Sequence, residues 1–403
     1  AEEEEEKVLV KVDWEIMDGQ RASLTYQNTD GNTISSTGAG SRSYAFNDRY
    51  YQRANELTSY SLQVFSDWTD NFSTELRIGN QEVKNGQTPF TSDPDFGDVT
   101  ILDVIDGVDV FLGADRFRQA NKLNYDTDTF RLAGTYFAGD HEIKAGIEYG
   151  EVDVFNLFVP GSQGRFQFDS VEDFRNGIAS RIRYNIPGSL DANDGAAEFA
   201  FENTTMFIQD RWMATDDLTV TFGLRYDEWT SNQTPTANPN FQQRYGFTNA
   251  VAPDMDLLQP RLGFNYVLDG STFIYGGVGL FAGGNPNVWL SNNYSNNGVT
   301  ILASDVRSGD ALLAANTPGF LFNVPQASID GLVGGDGAVN ALDSDFNVPA
   351  IWKFNFGTQR EFEDGTVAGF DVIYSQEKDA AKTIALNSIR VGRAADGRPI
   401  YVN

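Results

Sequence analysis

The residues best able to do chemistry in this chain are carboxylates, and they are densest between Thr88 and Asp115. This segment contains no Lys or Arg and seven aspartates, namely Asp93, Asp95, Asp98, Asp103, Asp106, Asp109 and Asp115. Oxygen ligands of this kind suit hard cations such as Ca²⁺. Their spacing matches no ordered ligand loop, including the EF-hand pattern. The sequence therefore favours a solvated acidic loop over a calcium site.

Two shorter segments carry related signals. Asp191–Gly195 (Asp-Ala-Asn-Asp-Gly) has the composition of a calcium loop, but its glycine falls one position early, so a turn is expected. Ser170–Asp173 (Ser-Val-Glu-Asp) predicts a capping box that starts a short helix, with Ser170 as the N-cap and Asp173 reaching back. We expect that helix to order a loop, and a ligand-contacting lid is the alternative.

Other catalytic arrangements are poorly supported. The chain has no Cys and one His, which excludes disulfides, thiolate metal sites and multi-histidine zinc or copper sites. His141 lies in a predicted tight turn and is expected to be solvated. Carboxylates are numerous enough for a glycosidase pair, but no pair stands out, and neither a G-x-S-x-G motif nor a phosphate-binding P-loop is present. We therefore expect no enzyme activity, no catalytic or metal-binding residues and no cofactor, and we assign no ligand-binding residue.

Composition limits the fold class. The 403 residues are 40% hydrophobic and 13% aromatic, with 30 Phe and 16 Tyr, so the chain is too apolar for disorder and suited to strands. A formal charge of −28 argues against a nucleic-acid partner. No apolar run is long enough for a transmembrane helix. Acidic residues 2–6 occupy the place of a signal peptide, which indicates a processed protein or a fragment.

Six hairpins dominate the pattern, each with two alternating strands around a short turn rich in Asp, Asn or Gly. The predicted pairs are Lys7–Ile16 with Arg21–Gln27, Tyr60–Trp68 with Ser73–Gln81, Thr127–Phe137 with Glu142–Val154, Glu198–Met213 with Leu218–Trp229, Leu258–Val267 with Thr272–Phe281, and Pro349–Phe362 with Thr366–Gln376. In the fourth hairpin Leu218, Phe222 and Tyr226 share one face, whereas Arg225 and Asp227 share the other.

Alternation alone fits either a sandwich or a barrel. The lengths of the connections distinguish them, because tight turns alternate strictly with segments of roughly thirty to sixty residues, far above the usual loop length in compact domains. Outer-membrane barrels have tight periplasmic turns and long extracellular loops. The sequence thus predicts an all-β fold, an antiparallel transmembrane barrel with about twelve readable strands.

Aromatic residues support the barrel, because they fall in two groups about one hydrocarbon thickness apart. Those near the tight turns are Trp14, Trp68, Trp212 and Tyr266, and those farther away are Tyr26, Tyr149, Tyr226, Trp229, Trp352 and Tyr374. We interpret the two groups as interfacial girdles. The alternative is ordinary core packing.

Several segments resemble TonB-dependent receptors of the outer membrane. Ile208–Trp212 with Thr215–Asp227 is similar to a strand, turn and strand of such barrels, and Gln259–Tyr266 with Tyr275–Phe281 resembles the next hairpin. The loop segments Phe168–Gly177 and Asp396–Tyr401 resemble the Oar-like branch. This resemblance implies a barrel of about 22 strands, an amino-terminal plug domain and uptake driven by the TonB complex.

No plug or TonB box is identifiable before Lys7, and the end at 401–403 does not resemble a final strand. Residues 1–403 are therefore expected to form a single partial barrel domain in the outer membrane of a Gram-negative bacterium, in contact with lipid. In a complete receptor, inward residues such as Arg225, Arg261 and Asn265 could contact the plug.

The leading functional hypothesis is energised uptake of a ligand through this barrel. Siderophores, cobalamin, glycans, peptides and exported protein all remain possible ligands, since specificity in this architecture lies in loops and plug. One alternative is a passive porin or a surface adhesion barrel. Another is a secreted all-β carbohydrate-active enzyme.

Overall fold

The computed structural model describes residues 3–91, 93, 95–283, 287–307, 319–335 and 337–402. The predictions about residues 1, 2 and 403 lie outside these ranges. No helix among the described residues is long and apolar enough to cross a membrane.

Twelve strands form one antiparallel sheet, which we call the wall, and every wall strand pairs with its neighbour along the chain. They are β1 (Glu3–Met17), β2 (Gln20–Ser36), β4 (Tyr50–Thr69), β5 (Phe72–Pro89), β8 (Asn121–Ala138), β9 (His141–Phe158), β12 (Ala197–Met213), β13 (Leu218–Thr230), β14 (Asp254–Asp269), β15 (Thr272–Ala282), β17 (Ala350–Glu361) and β18 (Val367–Lys378). Strands β1 and β18 are its two edges, and the described wall is open between them. The expectation of about twelve strands is confirmed.

Six further strands form a second sheet, which we call the loop sheet, in the order β16-β11-β10-β6-β7-β3. They are β3 (Ser43–Ala45), β6 (Asp98–Ile105), β7 (Val108–Leu112), β10 (Arg165–Phe168), β11 (Arg181–Pro187) and β16 (Ile301–Arg307). The other elements are β19 (Ile389–Arg393), β20 (Pro399–Val402), α1 (Val171–Asn176), α2 (Pro239–Tyr245), α3 (Asn287–Ser295) and α4 (Gln326–Asp330).

All six predicted hairpins are confirmed, and each joins consecutive wall strands. Three of the six tight turns contain a glycine with left-handed backbone, with φ of 72° at Gly19, 61° at Gly139 and 80° at Gly365, a conformation that glycine adopts without steric cost. All six turns lie at one end of the wall, the turn end. The long connections lie at the other, the loop end.

The two faces of the wall differ as the alternation predicts. Phe222 and Leu224 are 46% and 49% exposed on one face, the outer face. On the opposite, inner face, Asp227 and Gln259 are 3% and 1% exposed. Apolar side chains thus point away from the protein, and polar side chains are buried within it. This arrangement is the reverse of a soluble protein and typical of a wall surrounded by lipid.

The residues of the predicted aromatic girdles lie on the outer face by strand parity with one exception, Trp229, although Trp352 is half-buried and also packs against the interior cluster that contains Met255 and Leu257. Trp229 is 8% exposed and packs against Met255 and Leu257 in an interior cluster. Arg225, Asp227 and Trp229 are alternate residues of β13 and therefore lie on the same, inner face. The prediction that Trp229 lies in a lipid-facing girdle was wrong.

The loop sheet has its own hydrophobic core. Val99, Phe166, Phe168 and Ile182 are at most 1% exposed, and they alternate with polar residues along β6, β10 and β11. Two of its strand pairs are parallel, β6 with β10 and β3 with β7. Because parallel neighbours cannot be joined by a tight turn, this sheet is assembled from four different connections at the loop end.

Candidate functional site

A row of polar side chains crosses the inner face of the wall on strands β8, β9, β13 and β14. We call it the inner charged row, and it consists of Arg131, Glu148, Arg225, Asp227, Gln259 and Arg261. The antiparallel register places these side chains on one face because directly opposed residues point the same way. The strand pairing therefore assembles groups that are far apart in the sequence.

Arg225 and Asp227 are at the centre of this row. Arg225 Nη1 is 2.8 Å from Glu148 Oε2, and Arg225 Nε is 2.9 Å from Asp227 Oδ1. Asp227 also accepts hydrogen bonds from the Thr205 hydroxyl, at 2.5 Å, and from the Gln259 amide. Each of these carboxylates is neutralised by a guanidinium, which suits a rigid polar lining better than proton transfer.

The β14 end of the row is more open. Arg261 lies over the Phe281 ring, with Cζ 4.6 Å from the ring centroid, and Lys353 Nζ is 5.7 Å from the same centroid. Arg261 and Asn265 are exposed on the inner face, whereas the donors of Arg225 are engaged within the wall. The expectation that Arg225, Arg261 and Asn265 contact a plug stays a prediction.

Helix α3 covers the inner face near the loop end. The Tyr294 ring stacks on Phe199 of β12, with centroids 4.3 Å apart and planes 5° apart. Asn156 of β9 donates a hydrogen bond to the Ser291 hydroxyl at 2.7 Å. Burial raises the pKa of Tyr294, and its hydroxyl donates to the Gln233 carbonyl at 2.6 Å. The connection between β15 and β17 thus folds inward, not away from the wall.

Next to α3 lies a cleft of about 730 Å³, a volume typical of small-molecule sites. It is lined by α2, α3, Gly335 and two loop segments, residues 337–346 and 381–387. Its main aromatic side chains are Phe241, Tyr245, Phe247, Trp289 and Phe346, and its polar ones include Asn238, Asn292, Asn340, Arg244 and Lys382. Such a surface can stack on planar or sugar-like groups and offers amides for hydrogen bonds.

The local sequence explains how α2 forms one side of the cleft. Asn238 is the N-cap, and its side chain accepts a hydrogen bond from Phe241 N at 3.0 Å. Pro239 follows at the first helical position, where its missing N–H costs nothing. Gly246 ends the helix with φ of 82°. Asn238 is 1% exposed and also donates to the Asn297 carbonyl at 3.1 Å, which ties α2 to the segment after α3.

The acidic segment from 88 to 115 is not simply a solvated loop, and that prediction was wrong in part. Its middle forms the hairpin β6–β7, with Asp106 and Gly107 at φ of 50° and 78°. Asp98 is 6% exposed and forms a buried ion pair with Arg49, which is 3% exposed. Asp115 also lies 3.5 Å from Arg49. Ser92 and Pro94 of this segment lie outside the described residues.

The two short segments behave as predicted. Asp191–Gly195 forms a 3₁₀ turn, and the Asp191 side chain accepts a hydrogen bond from Asn193 N at 2.9 Å. Ser170 is the N-cap of α1 and accepts from Asp173 N at 3.0 Å. The Asp173 carboxylate accepts a hydrogen bond from the Ser170 hydroxyl at 2.5 Å. In the described part of the chain, no three His, Asp or Glu side chains are grouped to hold a metal ion.

His141 is more constrained than expected. It is the first residue of β9, at the turn end as predicted, and 41% of its side chain is exposed. Its ring nevertheless stacks on Trp212, with centroids 5.6 Å apart, and its Nδ1 is 2.7 Å from Asp210 Oδ2. The prediction of a purely solvated histidine was therefore incomplete. Strand register, which aligns residues 141 and 212, could have revealed the contact.

Comparison with known proteins agrees with this architecture. Residues 1–400 match the family described as "Outer membrane beta barrel domain". No curated protein matches the sequence.

Several solved structures share the fold. The outer membrane transporter YddB from Escherichia coli has a TM-score of 0.59 and 13% identity, over 98% of this chain and 42% of that protein. The FrpB iron transporter from Neisseria meningitidis has a TM-score of 0.53 and 12% identity, over 100% and 48%. The siderophore receptor PirA from Acinetobacter baumannii has a TM-score of 0.53 and 12% identity, over 99% and 47%. The chain spans less than half of each of these proteins.

Proposed function

Because the chain belongs to the outer membrane beta barrel domain family, we propose that it forms the barrel region of a TonB-dependent receptor for energised ligand uptake. The protein lies in the outer membrane of a Gram-negative bacterium. The tight turns face the periplasm, and the long connections are extracellular. Residues 1–403 act as one barrel domain, and the TonB complex engages the receptor through a plug domain.

The observation that carries this proposal is the inward folding of the loops. Helix α3 packs on the inner face of β9 and β12, where Tyr294 stacks on Phe199. A passive porin requires an open mouth, whereas a receptor requires extracellular loops that hold a ligand before transport. The cleft between α2 and α3 gives such a ligand a place to bind on the extracellular side. We therefore favour a receptor over the porin alternative.

The pairing of the inner carboxylates with arginine argues against the enzyme alternative. The two carboxylates of the inner charged row, Glu148 and Asp227, are both bound by Arg225. A glycosidase needs one carboxylic acid free to give up a proton. Together with the similarity of the fold to an outer membrane transporter and a siderophore receptor, this arrangement supports a transport role.

The decisive experiment uses the protein isolated from native outer membranes. We expect it to bind the periplasmic domain of TonB in a co-isolation assay and to show no steady ion conductance in planar lipid bilayers. Deletion of α3 (Asn287–Ser295) should increase conductance if the helix narrows the mouth. Steady conductance of the unaltered protein, together with no TonB binding, would contradict the proposal and indicate a porin.

A further inference from the structure

The polar face of the loop sheet carries an arginine cluster that the proposed function does not use. It consists of Arg116, Arg165 and Arg183, with Arg181 next to it. Arg165 on β10 and Arg183 on β11 are directly opposite each other in the antiparallel register. Like charges in this position destabilise a sheet. Such a pairing in a chain with 57 acidic and only 29 basic residues calls for a physical reason.

The carboxylates near this cluster are engaged elsewhere. Asp98 forms the buried ion pair with Arg49 and accepts a hydrogen bond from Arg116 N at 3.3 Å. Its distance to Arg165 Nε is 3.8 Å, too long for a hydrogen bond, and Arg165 Nε is buried with no hydrogen-bond partner. Asp98 therefore makes no hydrogen bond to the Arg165 Nε, and its charge is already paired with Arg49.

The other carboxylate, Asp305, lies opposite Arg183 in the sheet register. It is held by Arg181, whose Nε and Nη2 are 2.7 and 2.6 Å from its two oxygens. Arg307 also donates to it, at 3.2 Å. The hydrogen bonds of Asp305 are thus made with Arg181 of β11 and Arg307 of β16, so Asp305 offsets the positive charge of Arg183 only in part.

The charges in this cluster perturb one another. Burial, together with the positive charges of Arg183 and Arg116, lowers the pKa of Arg165 to about 10. Burial and the charge of Arg181 lower the pKa of Arg183. The Arg165 side chain is 20% exposed, so an ion from solution can reach it. Partly buried guanidiniums that outnumber the carboxylates around them are suited to bind an anion.

We propose that Arg116, Arg165 and Arg183 form a binding site for a phosphate group. A phosphate dianion offers several oxygens to guanidinium groups, which bind it in the bidentate geometry that arginine favours. The site lies at the extracellular rim, where the Asn185 amide donates to the Pro160 carbonyl just after β9 ends. The phosphate belongs either to a soluble ligand or to a lipid headgroup of the outer leaflet. Phosphate binding at this site requires neither transport nor a plug. Its test is therefore independent of the test of the proposed function.

Calorimetric titration with inorganic phosphate tests the site on the protein in detergent micelles at low ionic strength, where charge interactions are least screened. Saturable binding is expected, and Arg183→Gln and Arg116→Gln should each weaken it at least tenfold. Arg42→Gln is the matched control, because Arg42 is an exposed arginine in the connection between β2 and β4. This substitution should change the affinity less than twofold.

A stability measurement separates a binding arginine from a structural one. Without phosphate, Arg183→Gln should leave the thermal midpoint unchanged or raise it, since the substitution relieves repulsion by Arg165. A clear fall in the midpoint of both Gln variants would assign the arginines a structural role and overturn the proposal.

Vesicles distinguish the two sources of phosphate. Protein reconstituted in phosphatidylcholine vesicles with and without lipid A is compared by its thermal midpoint. Stabilisation by lipid A that Arg183→Gln abolishes indicates a headgroup site, and binding of inorganic phosphate alone indicates a soluble ligand. If neither phosphate nor lipid A acts through Arg183, the proposal is wrong.

Discussion

The wall and the loop sheet have the same alternation of apolar and polar residues, but their apolar faces have opposite surroundings. In the wall, apolar residues such as Phe222 point outward and remain exposed on the protein surface. In the loop sheet, Val99, Phe166 and Ile182 pack against one another and are at most 1% exposed. The wall therefore depends on lipid for its apolar contacts, whereas the loop sheet contains its own core.

The two sheets also differ in how they treat charge. The inner charged row of the wall consists of partly buried groups in an extended chain of contacts. In the loop sheet the main charged groups are instead one buried ion pair, Arg49 with Asp98, and the arginine cluster, in which guanidiniums outnumber carboxylates. We expect loss of a single ion pair to destabilise the loop sheet, and a disrupted contact with lipid to destabilise the wall.

The largest effect should follow from Arg49→Met. This change removes the ion-pair partner that Asp98 contacts directly and leaves only Arg165, 3.8 Å away, so it should cost about 3 kcal/mol of local stability, at the lower end of the range for a broken buried pair. Hydrogen exchange should accelerate in β6, β7 and β10 and remain unchanged in the wall.

Two controls make this prediction specific to the pair. The double variant Arg49→Met with Asp98→Leu should recover much of the loss, because two apolar groups can replace a buried ion pair. Arg42→Met, at an exposed arginine in the same connection, should have little effect. Equal acceleration in wall and loop sheet would contradict the independence of the two sheets.

The next effect tests the wall from its lipid side. Phe222→Arg places a charge on the outer face and should reduce the free energy of unfolding by about 2–4 kcal/mol if residue 222 is near the bilayer midplane. The measurement is urea unfolding in lipid vesicles. Thr221→Arg is the control, because Thr221 points to the inner face, and it should be mild. Equal losses at both positions would refute the assigned faces.

A smaller effect is expected within the inner charged row. Asp227→Asn removes the charge that accepts hydrogen bonds from Thr205 and Arg225, and it should cost about 1.5–3 kcal/mol. Urea unfolding in micelles gives this value. Glu228→Asn, at the neighbouring exposed position on the other face, should cost much less. If Glu228→Asn lowered the free energy of unfolding as much as Asp227→Asn, the inner charged row would make no specific contribution to stability.

The smallest effect concerns pH and the edge of the loop sheet. The hydrogen bond from Arg181 holds the pKa of Asp305 at about 2, below its ordinary value of 3.8. Its contribution is therefore fully present above pH of about 4 and is lost as the pH falls through 2. Because Asp305 is 38% exposed, the effect should be below about 1 kcal/mol. The thermal midpoints of the wild type and Asp305→Asn should differ at pH 5 and converge near pH 2.

The wall could be predicted from sequence because its information is local. Each hairpin joins neighbouring strands, and its turn chemistry and period of two lie within a single short segment. The same parity places Trp229 with Arg225 and Asp227 on the inner face, so its misassignment ignored a signal that was available. Strand parity therefore predicts the face of Trp229 better than its distance from the tight turn does.

The loop sheet could not be predicted to the same extent because its partners are remote. Asp106–Gly107 between Ile105 and Val108 is a hairpin signal that the many aspartates obscured. No local pattern, however, reveals that Arg49 pairs with Asp98 or that Arg165 faces Arg183. Those contacts depend on which short strands meet across different connections, and only the folded chain specifies that.

The long-range strand pairs that join the loop sheet have a consequence for the time course of folding. Hairpins of the wall close over short stretches of chain, whereas the contact between Arg181 and Asp305 spans 124 residues. Contacts between distant residues form slowly, because the entropy of loop closure is lost before they stabilise the chain. The loop sheet should therefore reach its final structure last. The wall hairpins on either side of β6, β10, β11 and β16 must form before these strands can pair.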